Sequence, residues 1–145
     1  MVYSFGRISA VLGINVSDYY TLGKKSFIRL HEKGGKFHEV AAHHKLVEYL
    51  DEYIRAAGLS GEKKTPLFRT CPRTSKTLSK NRFQRTEALL MIKRRCREAG
   101  LPETISCHTF RATGITTYLL NGGSVEKAQQ IAAHESPRTT RLYDR

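Results

Sequence analysis

The last third of the chain constrains the fold most, because its helix start and stop signals leave little freedom over where segments begin and end. Asn121-Gly122-Gly123 is a strong stop, and Ser124 directly after it is a good N-cap. Ser136-Pro137 repeats the start signal, a capping hydroxyl followed by proline at the first helical position. The pattern predicts a helix from His108, another from Ser124, then a tight turn and a very short terminal helix. Ile115, Tyr118 and Leu119 turn the first toward a core, and Val125, Ala128 and Ala132 do so for the second. His108 and Arg111 are three apart, so on a helix they leave the same face. His134 falls at the far end of the second helix, and Tyr143 follows nine residues later, on or just beyond the third. Arginine offers a permanently charged fork, histidine titrates near neutrality, and tyrosine is an oxygen nucleophile. Together they suit work on an anionic phosphate.

The charge balance agrees. Lys and Arg number 25 against 13 Asp and Glu, a net charge of +12, which implies a polyanionic partner. No helix pairs a basic face with a broad apolar one, which argues against a membrane surface. Three cysteines, Cys71, Cys96 and Cys107, fit no disulfide framework and favour a reducing compartment. Cys107 beside His108 could suggest a metal pair, but no C-x-x-C or H-x-x-x-H set accompanies it, so neither metal nor cofactor is expected. A glycine-rich phosphate loop and an acidic cluster for magnesium are also missing. Without a signal peptide or an apolar run of spanning length, the expected location is cytoplasmic. A length of 145 residues predicts one domain with a single core.

Taken in order, Arg7 opens an apolar helical run, Ile8, Val11 and Leu12, which Gly13 and Asn15 end. Residues 25–31 and 36–42 alternate as two strands, with Ile28 and Leu30 on one face and His38 and Val40 sharing another. Between them Glu32-Lys33-Gly34-Gly35-Lys36 suits a tight hairpin turn with Lys33 at its tip and Lys36 as a rival cation. His43 to Ala57 follows a helical period through Leu46, Leu50 and Ile54, closed by Gly58. Residues 58–80 are poorly patterned, and Arg69 to Lys80 reads as a basic loop able to contact phosphates. A helix is expected over 81–99, with Leu89, Ile92, Cys96 and Ala99 as its inner stripe, ended by Gly100 and Pro102. The expected phosphate contacts are Lys36, Arg69, Arg73, Lys76, Lys80, Arg82, Arg85 and Arg138. The fold class expected is α+β, mainly helical, with a small antiparallel hairpin or sheet at one edge.

The phrase H-T-F-R followed by A-A-H-E-S-P-R-T-T-R-L-Y resembles the active-site signature of the tyrosine recombinases, the phage-integrase family. F-G-R-I-S-A-V-L-G is similar to that family's first arginine helix, with Ala10 where a glutamate often stands. The resemblance spans nearly the whole chain and implies six catalytic positions: Arg7, Lys33, His108, Arg111, His134 and Tyr143. It implies that Tyr143 attacks a DNA phosphate to give a 3′-phosphotyrosyl link, without metal or nucleotide, and that a 5′ hydroxyl later reverses the step. Arg7 and Arg111 would hold the phosphoryl oxygens, His134 would add a donor, and His108 would be base or positional support. Lys33 would protonate the leaving 5′ oxygen. Double-stranded DNA is the implied partner, with a tetrameric synapse and a bacterial or phage-encoded, nucleoid-associated enzyme. The family's N-terminal core-binding domain and C-terminal tail lie outside these residues, so a single catalytic domain over 1–145 is expected. The alternative is a DNA-binding fragment that keeps the motif with impaired catalysis.

Overall fold

A computed structural model describes residues 1–32 and 34–144. Among them the chain runs α1 Ile8–Gly13, a 3₁₀ turn Val16–Asp18, β1 Tyr19–Leu22, β2 Lys25–His31, β3 Phe37–Ala41, α2 His44–Ala56, α3 Arg85–Glu98, α4 Cys107–Leu120, α5 Val125–Ala132 and α6 Pro137–Arg141. The strands form one antiparallel sheet in the order β1-β2-β3. Tyr19 lies opposite Ile28, Ile28 opposite Val40, and Leu30 opposite His38. Side chains alternate faces along a strand, so this register sends Ile28, Leu30 and Val40 into the core together. The β2–β3 turn has two consecutive left-handed residues, Gly34 at φ +81° and Gly35 at +74°. No side chain tolerates that pair well, which is why glycines stand there.

β1 is not apparent from the sequence. It is a four-residue edge strand whose outer half is exposed, Leu22 included, so no period-2 burial pattern marks it. What fixes it is pairing with β2 and a hydrogen bond from the Tyr19 hydroxyl to Asp51 of α2, 2.8 Å.

The main core gathers Ala10 and Ile14, the sheet's inner face, Leu50 of α2, and Leu59 and Leu67. Those last two belong to the poorly patterned stretch 58–80, yet Leu67 is fully buried and Leu59 nearly so. Burial of such a side chain contributes about 1.5–3 kcal/mol, enough to order a segment with no secondary-structure period. Backbone bonds add to the hold, since Val16 donates to Thr65 at 3.0 Å and Leu67 donates to Ile14 at 3.1 Å. Only the part from Cys71 to Leu78 is exposed throughout.

α3 begins four residues later than the periodicity predicts, at Arg85 rather than Asn81. Residues before it stay extended because Arg82 donates to Leu12 O at 2.7 Å, Ile14 O at 2.9 Å and Asn15 Oδ1 at 2.6 Å. Its buried stripe is Ala88, Ile92 and Cys96, at i, i+4 and i+8; Leu89 and Ala99 are exposed. A second cluster joins Phe5 to Ile115 of α4 and Ala128 and Ala132 of α5. α4 and α5 sit close in the chain because Asn121-Gly122-Gly123 ends one and Ser124 caps the next, its hydroxyl accepting from Lys127 N at 3.2 Å.

Candidate active site

α4 opens with Ser106 as N-cap, whose backbone N–H donates to Thr109 Oγ1 at 3.0 Å. His108 lies in the first turn and is exposed; Arg111, one turn on, is only 2% exposed. The three-residue spacing therefore gives one helix face at two depths. The Arg111 guanidinium donates to Ala132 O at 2.6 Å and to Phe5 O. Ala132 ends α5, where carbonyls have no intrahelical partner, so a buried cation both satisfies one and complements the helix dipole. Burial holds the Arg111 pKa below the usual range, the nearby Arg7 adds to this, and Glu32 and Tyr143 oppose it.

The segment carrying Phe5 reaches Arg111 because of Gly114. A Cβ at that position would lie 2.1 Å from Val2 O, so only glycine lets the backbone settle on α4. Two residues after Phe5 comes Arg7, the N-cap position of α1. Its side chain is 46% exposed, and Nη1 donates to Glu32 Oε2 at 2.9 Å. The Glu32 side chain is 10% exposed, and its Oε1 is buried with no partner among the described residues.

Arg7 stands between two open clefts. One, of about 340 Å³, is lined by Arg7, Ser9, Arg85, Cys107, His108 and Arg111 among others. The larger, about 800 Å³, is lined by Arg7, Ser9, Glu32, Lys36, His38 and Glu135 among others. Three arginines and two serines line the smaller cleft beside apolar side chains, and the arginines suit a phosphate.

His134 follows a sharp exit from α5, where Ala133 takes the left-handed conformation at φ +49°. Its backbone is clamped by Gln129: His134 N–H donates to Gln129 O and Gln129 Nε2 donates to His134 O, each 3.1 Å. Its ring Nδ1 lies 2.8 Å from Thr140 Oγ1, and both groups are buried. Burial, helped by the positive charges of Arg111 and Arg7 and by the nearby His108, pushes the His134 pKa down to about 4. The imidazole is therefore neutral near pH 7. Tyr143 lies just past α6, half-buried, its ring stacked on His134 at 6.2 Å between centroids and 13° between planes. Its N–H donates to Thr140 O at 3.0 Å.

Five of the six expected catalytic residues thus share one neighbourhood. Arg7, His108 and Arg111 line a common cleft, all three act on the His134 titration, and Tyr143 stacks on His134. Lys33 lies outside the described residues. Of the expected phosphate contacts, Arg85 lines the smaller cleft and Lys36 the larger, while Arg73, Lys76, Lys80 and Arg138 are exposed. Two of the expected contacts are engaged within the fold: Arg69 is buried, its guanidinium held by Glu62, Thr65 and Pro66 O, and the Arg82 guanidinium is tied to Leu12 O, Ile14 O and Asn15 Oδ1. Ser9, Glu32 and Thr140 are members of this neighbourhood that no sequence motif singles out. Glu32 sits directly beside Lys33, and its acidity in a basic turn was the available signal. Among the described residues no group of three or more His, Cys, Asp and Glu could hold a metal, and no helix is long and apolar enough to cross a membrane.

The family model for the phage integrase family matches residues 1–145. Among curated proteins, the tyrosine recombinase XerD of Oceanobacillus iheyensis is 29% identical over 148 residues, covering 99% of this chain and 47% of the relative. The tyrosine recombinase XerC of Rhodospirillum centenum is 31% identical over 147 residues, covering 99% of this chain and 40% of the relative. The chain thus spans under half the length of the curated relatives it matches. Among solved structures, XerA recombinase superposes with a TM-score of 0.77 at 24% identity, over 99% of this chain and 49% of that one. XerH recombinase bound to its difH substrate in a pre-cleavage complex gives 0.78 at 20% identity, over 99% and 40%. At these identities the structural likeness is one of fold.

Proposed function

The chain belongs to the phage integrase family, and we propose that it cuts and rejoins duplex DNA at specific sites, with Tyr143 as nucleophile. The observation that carries this is the stacking of Tyr143 on a neutral His134 within the field of Arg7, Arg111 and His108. In the proposed step the Tyr143 oxygen attacks a backbone phosphorus and the bond from phosphorus to the 5′ oxygen breaks. A 3′-phosphotyrosyl link and a free 5′ hydroxyl result. The phenol, whose ordinary pKa is about 10, gives its proton to His108, which is exposed at the cleft. Arg7 and Arg111 stabilise the charge growing on the non-bridging oxygens, and His134 adds a neutral donor. The departing oxygen takes a proton from Lys33. A 5′ hydroxyl of a partner strand then attacks the phosphotyrosyl phosphorus and gives its proton back to Lys33, while the bond from phosphorus to Tyr143 breaks and His108 returns its proton to the phenol. Because the covalent link conserves the phosphodiester's energy, the exchange needs no ATP.

Arg73, Lys76, Lys80 and Arg138 carry the expected non-specific grip on the backbone, helped by Lys36 and Arg85. The proposal includes association of several copies on DNA, and action in the cytoplasm where a bacterial or phage chromosome lies. Its test is a nicked suicide duplex bearing a candidate recombination site, read as a covalent adduct on a denaturing gel. The wild-type chain should give the adduct; Tyr143→Phe should bind as well and give none. An adduct that persists in Tyr143→Phe would place the nucleophile elsewhere. DNA binding without any adduct from the wild type would favour the impaired DNA-binding reading.

A further inference from the structure

We propose that Thr140 is a positioning residue that fixes the His134 tautomer: its hydroxyl donates to Nδ1, so the ring proton resides on Nε2 as the donor offered to the phosphate. This rests on the cleavage reading for its purpose, though not for its geometry. Thr140 is fully buried, and the only hydrogen-bond partner of its hydroxyl among the described residues is His134 Nδ1, at 2.8 Å. A ring N–H and a hydroxyl O–H cannot both point along that line. If Nδ1 carried the proton, the hydroxyl hydrogen would be stranded in the interior with no acceptor, a costly arrangement. If the hydroxyl donates, its hydrogen has an acceptor in Nδ1 and the imidazole's second nitrogen must bear the ring proton. The reverse tautomer would aim a lone pair at phosphate oxygens.

The setting reinforces this. Gln129 binds the His134 backbone on both sides, so the ring's own torsions are the freedom left for Thr140 to remove. The ring is neutral near pH 7, so one nitrogen must be bare, and which one is decided by its partner. Thr140 also binds Tyr143 through its backbone carbonyl, at 3.0 Å. One residue thereby contacts both the donor and the nucleophile, whose rings stack on each other.

The test uses the whole 145-residue chain, with ¹⁵N-labelled histidine and long-range proton–nitrogen correlation to read the His134 tautomer. Wild type and Thr140→Ser should hold the proton on Nε2, and Thr140→Val should lose that preference. A wild-type proton on Nδ1, or a tautomer unmoved in Thr140→Val, overturns the proposal. Amide spectra check that each variant is folded; should Thr140→Val unfold, the wild-type tautomer alone still decides. The second arm measures adduct formation on the suicide duplex. Thr140→Val should slow it roughly tenfold or more at unchanged DNA affinity, part of the 10²–10³ expected for removing a transition-state donor outright. Thr140→Ser should restore most of the rate. In a His134→Ala background Thr140→Val should cost nothing further, and an equal loss there would show that Thr140 acts through something else. Absence of any wild-type adduct would defeat the cleavage reading, while the spectroscopy would still decide the tautomer.

Discussion

Arg111→Met should destabilise the fold as well as stop cleavage. Methionine keeps much of the arginine stem's volume but takes two donors away from Phe5 O and Ala132 O, which join the N-terminal segment to α5. A buried carbonyl left without a donor costs about 1–3 kcal/mol. Two of them set a gross loss of about 2–6 kcal/mol. Relief of a buried charge, whose pKa is already held down by its surroundings, returns part of this. A net loss of about 2–4 kcal/mol is expected, against a total stability of about 5–15 kcal/mol for an ordinary domain. Urea unfolding followed by circular dichroism measures it, with an unchanged slope required for a valid comparison. His108→Ala, at an exposed position, is the control and should stay within about 0.5 kcal/mol of wild type. If Arg111→Met is as stable as His108→Ala, the two carbonyl contacts contribute nothing and the brace is refuted. The practical point is that lost activity in Arg111 variants must be normalised to the folded fraction before it is assigned to chemistry.

His134 protonates in the folded chain only near pH 4 but near 6.5 when unfolded, so stability should be fully present above about pH 6.5 and fall as pH drops below it. That loss should reach about 1–2 kcal/mol at pH 5 and be absent from the pH dependence of His134→Gln, as denaturation curves at several pH values would reveal. Ala133→Gly should stabilise by about 0.5–1 kcal/mol, because Ala133 holds a left-handed backbone that glycine adopts freely; a lower melting temperature would contradict this. If Lys33 is the acid, Lys33→Ala should cleave ordinary DNA slowly yet recover on a substrate whose bridging 5′ oxygen is sulfur, since a thiolate leaves unprotonated. Rescue of Lys36→Ala instead moves the acid along the turn, and rescue of neither leaves the hairpin as a phosphate grip.

Much of this was legible in the sequence where a local signal sets a local structure. Asn121-Gly122-Gly123, Ser124 and Ser136-Pro137 determine the helix ends that space His108, Arg111, His134 and Tyr143, and the structure puts those ends within a residue or two of expectation. What was not legible depends on partners that only the fold supplies. Arg69 and Arg82 sit in a basic stretch and look like phosphate contacts. A carboxylate seven residues earlier claims the first, and backbone carbonyls of the N-terminal segment claim the second. Leu59 and Leu67 carry no period because a loop wraps the core rather than lying on it as a regular element. Glu32 and Thr140 are ordinary in sequence. Their importance arises only when the fold brings Arg7 to one and His134 to the other.

The contact from Arg111 to Phe5 O closes a loop of 106 residues, and that has a consequence for synthesis. Closing so long a loop is slow in entropic terms and must wait until α4 and α5 exist to receive it. A growing chain on the ribosome that already displays Arg7 has no phosphate cradle, and one that has made Arg111 still lacks the residues that carry His134 and Tyr143. On the proposed function, a strand-cleaving activity that could nick the host chromosome is thus withheld from any growing chain that has not yet reached Tyr143, by the order of these residues alone.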